Sequence, residues 1–327
     1  MSGAALKSDV AAAERKGSCR ERLQREFERA VDAIFVGSVA SWVFGAMRIG
    51  IALIFLVRHA DWLRPWVYLE HHRFVHGLMF SDTSAREPRL HAPALPSLTL
   101  GDDATHVLIA LRTLLAGLLL LGVRARTSAA LLALVSYTLF AADRFRYYHH
   151  LHLLYVTLAW LALAPIGATF SLENAIRRGV AKLRAGAGAL KPRAALDATS
   201  PLWSLQLLRA LALSVYVAAA VSKLDASFLR GDALRQLEDA WILKGPSWEH
   251  LRHALGFSGV AVLSCAAELA IPLGLSFART RRLAVLGGWA FHALLSLSMP
   301  VYSFGAQMAV LLLAFWPRTT AAGGEPK

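Results

Sequence analysis

Three ionisable side chains lie inside stretches that are otherwise hydrocarbon. Lys223 closes the run Arg209-Ala-Leu-Ala-Leu-Ser-Val-Tyr216-Val-Ala-Ala-Ala-Val-Ser-Lys223-Leu-Asp225. Glu268 sits midway along Val262-Leu-Ser-Cys-Ala-Ala-Glu268-Leu-Ala-Ile-Pro272, and His292 midway along Trp289-Ala-Phe-His292-Ala-Leu-Leu. An ionisable group beside hydrocarbon is costly, so each of them is a candidate for function whose partner has to be named. Lys223 has two readings. Its stem snorkels to the surface and its ammonium pairs with the neighbouring Asp225, or desolvation leaves a free amine that accepts a proton from an oily substrate. Glu268 and His292 must find partners within a bundle, either an arginine that fixes helix register or a reacting group. Arg48 and Arg112, also in apolar runs, are further candidates.

A second concentration of chemistry is Asp143-Arg-Phe-Arg146-Tyr147-Tyr148-His149-His150-Leu-His152, with three imidazoles and two phenols at the mouth of an apolar segment. Histidine titrates near neutral pH, so this group is either a proton shuttle or an aromatic, polar belt at a membrane interface. No metal site is expected. His149, His150 and His152 have spacings that a helix splays over different faces, and no carboxylate or cysteine completes a set. Cys19 and Cys265 form no CxxC pair and imply no disulfide framework.

The elements that must position these residues are membrane helices. The chain of 327 residues is 56% hydrophobic and 17% charged, against about 45–50% and about 25% for soluble domains, and its mean hydropathy is +0.46. The formal net charge of +13 needs no nucleic-acid partner, because basic loops on the cytoplasmic side account for it and no nucleic-acid motif is present. A bilayer core takes about 20 apolar residues per helix. Eight segments answer to that, near 36–58, 104–123, 127–142, 151–168, 202–223, 257–278, 283–299 and 301–317. Residues 1–33 lack the pattern of a cleavable signal, and 11–35 mix charge and hydrocarbon at helical spacing, so residues 1–35 are expected to be a cytosolic or interfacial amphipathic helix. Residues 36–317 form the transmembrane domain and 318–327 a cytosolic tail.

Lysine and arginine set the orientation. Those near the N-terminus, Arg124 and Arg126, those between Arg177 and Arg193, Arg279 to Arg282, Arg318 and Lys327 all fall on one side of eight spans. Segments 59–103, 143–150 and 224–256 interleave their cations with acids. The positive-inside rule then puts both termini in the cytoplasm of a multi-pass inner-membrane protein. Segment 59–103, with Trp62, Trp66 and Tyr68, is expected to hold an interfacial helix, and 185–200 a flexible linker.

Taken in order, these residues resemble the integral-membrane portion of vitamin K-dependent γ-carboxylase and its bacterial relatives, the HTTM (horizontally transferred transmembrane) domain proteins. The resemblance rests on Leu121-Gly-Val-Arg-Ala-Arg126, on Asp143 seven residues before His150, on Ser171-Leu-Glu173, on Arg209 with Tyr216, on Lys223-Leu-Asp225-Ala, on Gly231 and on Phe291-His292. It covers roughly 40–317. It implies that Lys223 deprotonates a reduced vitamin K or menaquinone-type quinone, with His150 in support. Oxygen is consumed, a γ-proton leaves peptidyl glutamate, the carbanion captures carbon dioxide and the quinone leaves as an epoxide. Departures from the family pattern are Ser222 before Lys223, Phe228 where a tryptophan stands, and Tyr148 and His149 in place of asparagines. The chain ends just after its last expected span, so the large lumenal domain of the carboxylase is expected to be missing and a smaller peptide-modifying or quinone-dependent activity is expected.

The expectation is an all-α bundle of eight transmembrane helices whose outward-facing cavity holds Lys223 and His150. Tyr216, Asp225, Arg209, Glu268, His292 and Asp143 support them. The partners are the lipid bilayer, a lipid quinone and an exported peptide or protein substrate. Two other classes compete: a non-enzymatic assembly or immunity factor for an exported peptide, and a proton-coupled transporter with Glu268 and His292 as its relay.

Overall fold

Apolar runs become helices in the computed structural model, which describes residues 21, 23–28, 31, 35–58, 100–142, 149–185, 199–299, 301–316 and 319–320. The order is β1 (Ser38–Ala40), α1 (Trp42–Arg58), α2 (Asp102–Leu121), α3 (Ala125–Ala142), α4 (His149–Leu163), α5 (Leu172–Ala185), β2 (Thr199–Pro201), α6 (Leu202–Ser222), α7 (Ala226–Leu229), α8 (Asp232–Asp239), α9 (Pro246–Ser276), α10 (Arg281–Ser298), α11 (Tyr302–Leu312) with a 3₁₀ turn (Leu313–Phe315), and β3 (Thr319–Thr320). Four of these, α2, α3, α6 and α9, are long and apolar enough to cross a membrane, and His150–Leu163 and Tyr302–Phe315 are shorter apolar helices. With α1 and α10 they occupy the eight segments expected to span. Asp143 and the expected interfacial helix before residue 100 lie outside the described residues, as do most of 1–35 and of the tail. Residues 186–198 of the expected linker also lie outside them, and its last two residues prove to be strand.

Much of the hydrocarbon faces outward. Only 22% of the apolar stretch of α9 and 33% of that of α2 is buried, and Val107, Leu114, Leu134, Val221 and Leu297 are exposed. So large an apolar surface is stable against lipid and not against water. The core lies between α1, α4, α6 and α11, where Phe44, Met47, Ile51, Leu154, Leu158, Leu205, Leu208, Met308 and Leu311 are buried.

Short connections make neighbouring helices antiparallel. Between α2 and α3 the chain reverses on Gly122, a left-handed residue (φ +73) whose N–H bonds back to Leu118 and Leu119. Helix α4 stops at Leu163, earlier than the apolar run to 168, because Pro165 disfavours helical geometry at Ala164 and cannot donate to the helix. Helix α9 is broken at Gly256 (φ +67, ψ 173). Its first part packs with α8 in a small separate core of Leu234, Leu243 and Trp248, which Ala261 joins from beyond the break, and its second part enters the bundle.

A three-stranded antiparallel sheet, order β2-β1-β3, ties one end of the bundle. Val39 pairs with Ser200 and with Thr319, and Ser41 Oγ lies 2.6 Å from Ser200 Oγ. The segments before α1, before α6 and after α11 therefore meet at the same end. The buried Arg48 also works near this end, where Nη2 donates to Phe170 O at 2.7 Å.

Candidate functional site

At the end of α6 remote from the sheet, the residues Tyr216, Ala220 and Lys223 recur at helical spacing along one face, and Tyr216 and Ala220 are buried. Helix α9 meets that face with its own stripe of Ala261, Cys265, Glu268 and Ile271. The contact is close enough for Cys265 Sγ to lie 3.9 Å from Ala220 O. Helix α10 adds Val285, Gly288 and His292. A Cβ at Gly288 would sit 3.2 Å from the Tyr216 hydroxyl, so the glycine lets that hydroxyl lie against α10.

Four polar side chains converge where these stripes meet. Lys223, the C-cap residue of α6, donates from Nζ to Glu268 Oε1 in an ion pair, with side-chain exposures of 27% and 8%. Tyr216 OH lies 2.8 Å from His292 Nε2. The two pairs feel each other's charge, Glu268 acting on Tyr216 and Lys223 on His292. Aromatic walls enclose them: Phe291 and Phe304 meet the His292 ring edge-on, with centroids 5.3 and 5.5 Å away, and the Phe228 ring lies 5.8 Å from Lys223 Nζ. Pro272, one helical turn beyond Glu268, cannot donate the bond that would close on the Glu268 carbonyl. Two buried atoms of the cluster, Glu268 Oε2 and His292 Nδ1, have no hydrogen-bond partner among the described residues.

Asp225 does not pair with Lys223. It caps α7, accepting from Ser227 Oγ at 2.6 Å, Ser227 N at 2.8 Å and Phe228 N at 3.0 Å. The Ser227 hydroxyl, then the Phe228 amide, hold its carboxyl below the usual aspartate range. Its role is to fix the turn that sets Phe228 over Lys223. Gly231 follows in the left-handed region (φ +82), where a Cβ would lie 2.5 Å from Phe257 Cβ and 2.6 Å from its backbone carbon.

The other expected residues are elsewhere. Arg209 lies four turns back along α6 towards the sheet, where Nε donates to Ala314 O at 2.9 Å, Nη1 to Gln206 Oε1 at 3.2 Å, and the guanidinium faces the Phe315 ring. His150 is half-buried in the first turn of α4, and the contacts described for Lys223 run to Glu268 and Phe228. His152 Nδ1 lies 3.1 Å from Tyr137 OH, inside an aromatic group with Tyr155 and Phe140. Among the described residues no three His, Cys, Asp or Glu side chains could hold a metal ion. One polar residue passed over in the sequence is Gln307, which donates from Nε2 to Thr157 Oγ1 at 3.2 Å between α11 and α4. An amide inside an apolar run was the available signal.

Fold and cluster together define a multi-pass helical membrane protein with an ionic and aromatic centre buried between three helices. The model of the HTTM domain matches residues 94–318, and the chain belongs to that family. No curated protein and no solved structure matches it.

Proposed function

We propose that this chain is a membrane enzyme of the γ-carboxylase-like type, in which Lys223 and Glu268 together form a base acting on a reduced lipid quinone. The observation that carries this reading is the ion pair itself, placed beside Tyr216 and His292 in a site otherwise walled by hydrocarbon and aromatic rings. The residues suit a ring that bears hydroxyl groups. Glu268 Oε2 is a buried acceptor in need of a donor, His292 Nδ1 is a buried nitrogen in need of a partner, and Phe228, Phe291 and Phe304 offer apolar surface. A reduced quinone bound there would supply an acidic hydroxyl and the two electrons that, with molecular oxygen, yield epoxide and water.

The chain's own groups divide the work. Glu268 receives the proton at Oε2 while Lys223 holds Oε1, so the carboxyl stays oriented while its charge changes. Tyr216 fixes one ring nitrogen of His292 and thereby the direction of the other. Aromatic walls exclude the water that would consume a strong base. Carboxylation of an exported peptide or a small acidic substrate is the coupled reaction in this reading.

In this reading the eight apolar segments of 36–317 all cross the membrane. The return of the chain to one sheet after α1–α4 and again after α6–α11 supports an even number of crossings in each half. Basic residues favour the cytoplasm for the sheet end and for both termini, which sets Lys223 at the outer face of an inner membrane. The test is to supply purified protein in lipid nanodiscs with reduced menaquinone and oxygen. Epoxide should form with the wild type and fall at least about a hundredfold in Lys223→Ala, the low end for loss of a general base. Equal epoxide from both proteins overturns the assignment.

A further inference from the structure

Helix α5 differs from the helices of the bundle. Its apolar residues Leu172, Ile176, Val180 and Leu183 recur at spacings of four and three along one face, and all are exposed, Leu183 at 85%. No described residue covers that face. Arg177 and Arg184 border it on one side, and Arg178 lies on the face turned away from it. Ile176, Arg177, Val180, Ala181 and Arg184 line a shallow groove where hydrocarbon and guanidinium groups meet.

The helix is held at a definite place. Ser171 Oγ donates to Gly122 O at 2.7 Å, Arg124 N donates to Glu173 Oε2 at 2.9 Å, and Asn174 Nδ2 donates to Gly167 O at 2.7 Å. The first two bonds tie the start of α5 to the α2–α3 turn, next to the half-exposed Leu121 and Phe170, and the third ties it to the segment after α4. The outward-facing hydrocarbon of α2 ends there with the exposed Leu121, next to where the apolar stripe of α5 begins at Leu172.

We infer that α5 lies in the plane of the membrane, with Leu172, Ile176, Val180 and Leu183 below the headgroups and Arg177 and Arg184 on the phosphates of anionic phospholipids. The occupant is a lipid because an exposed apolar stripe edged by Arg177 and Arg184 matches an acyl layer beneath an anionic surface, and the helix is anchored beside the lipid-facing surface.

The experiment uses the full chain with Cys19→Ser and Leu183→Cys, labelled with an environment-sensitive NBD group, and a second protein with Cys19→Ser labelled through Arg178→Cys on the opposite face. Cys265 is buried and stays. In phosphatidylcholine vesicles containing phosphatidylglycerol, the label at 183 should emit to the blue and be quenched several-fold by spin-labelled lipid, with the label at 178 emitting as in water. Omitting phosphatidylglycerol, or adding Arg177→Glu and Arg184→Glu together, should release the label at 183. A water-like label at 183 overturns the inference, as does insensitivity to both lipid charge and charge reversal. Disulfide cross-linking between two Leu183→Cys chains overturns it in favour of a second copy as the occupant.

Discussion

Lys223 of α6 donates its hydrogen bond to Glu268 of α9, 45 residues away, and not to Asp225, two residues along its own chain. The nearer acid is occupied by Ser227 and Phe228. A cation at the end of a membrane-length helix is thereby held across a helix interface, where its partner is buried and one carboxylate oxygen is left open.

Breaking this pair should destabilise the fold. Glu268→Ala leaves an uncompensated ammonium and is expected to cost on the order of 1–3 kcal/mol. Joint replacement, Lys223→Met with Glu268→Leu, should recover most of that, since neither charge is then left alone. Thermal unfolding of the three proteins in one detergent checks the order, and a double variant less stable than Glu268→Ala would contradict it.

Tyr216→Phe removes the partner of His292 Nε2 and leaves the buried ring without a hydrogen bond among the described residues. The expected loss is about 1–2 kcal/mol. Because the ring that fills the site is kept, helix content by circular dichroism should not change. A wild-type unfolding midpoint would show that the bond carries no stability.

Gly231→Ala should be harmful at this buried turn. The left-handed φ of +82 costs a non-glycine residue about 1–2 kcal/mol, and the added Cβ overlaps the backbone at Phe257, adding about 1–3 kcal/mol. Low yield or an unfolding midpoint several degrees down is the expected readout, and a neutral substitution would mean that the turn shifts freely.

The Asp225 cap predicts an acid-sensitive turn. Its carboxyl is held below the usual range by the Ser227 hydroxyl and the Phe228 amide, so the folded form binds its proton less readily than the unfolded form. The stabilisation is therefore complete above the ordinary aspartate value of about 3.9 and is lost as pH falls through the lower folded value. Exchange of the Ser227 and Phe228 amides, corrected for the intrinsic pH effect, should be steady from neutral pH down to about 3.9 and accelerate below it. Asp225→Ala should exchange fast throughout.

Most of the helical architecture could be read from the chain because hydrocarbon runs of membrane length have few other fates. Their ends were harder to place. Strands of two or three residues such as Thr199–Pro201 show no alternation, and the break at Gly256 lies in an amphipathic stretch that continues into an apolar one. Of the site, Lys223, Glu268, Tyr216 and His292 were each visible as polar groups in hydrocarbon. Their pairing was not, since it depends on which stripes of α6, α9 and α10 face each other. Proximity in sequence pointed Lys223 to Asp225, and a shared helix grouped it with Arg209, whose guanidinium lies at the far end of α6 against Ala314.

The claim that Lys223 and Glu268 act as one base is tested most directly by the rate of quinone epoxide formation in nanodiscs, measured for wild type, Lys223→Ala, Glu268→Gln and the double variant. Each single change should slow the reaction at least about a hundredfold, with the double variant no slower than either, because groups that act as a unit are not additive. Wild-type rates in either single variant, or no epoxide from the wild type itself, would contradict it.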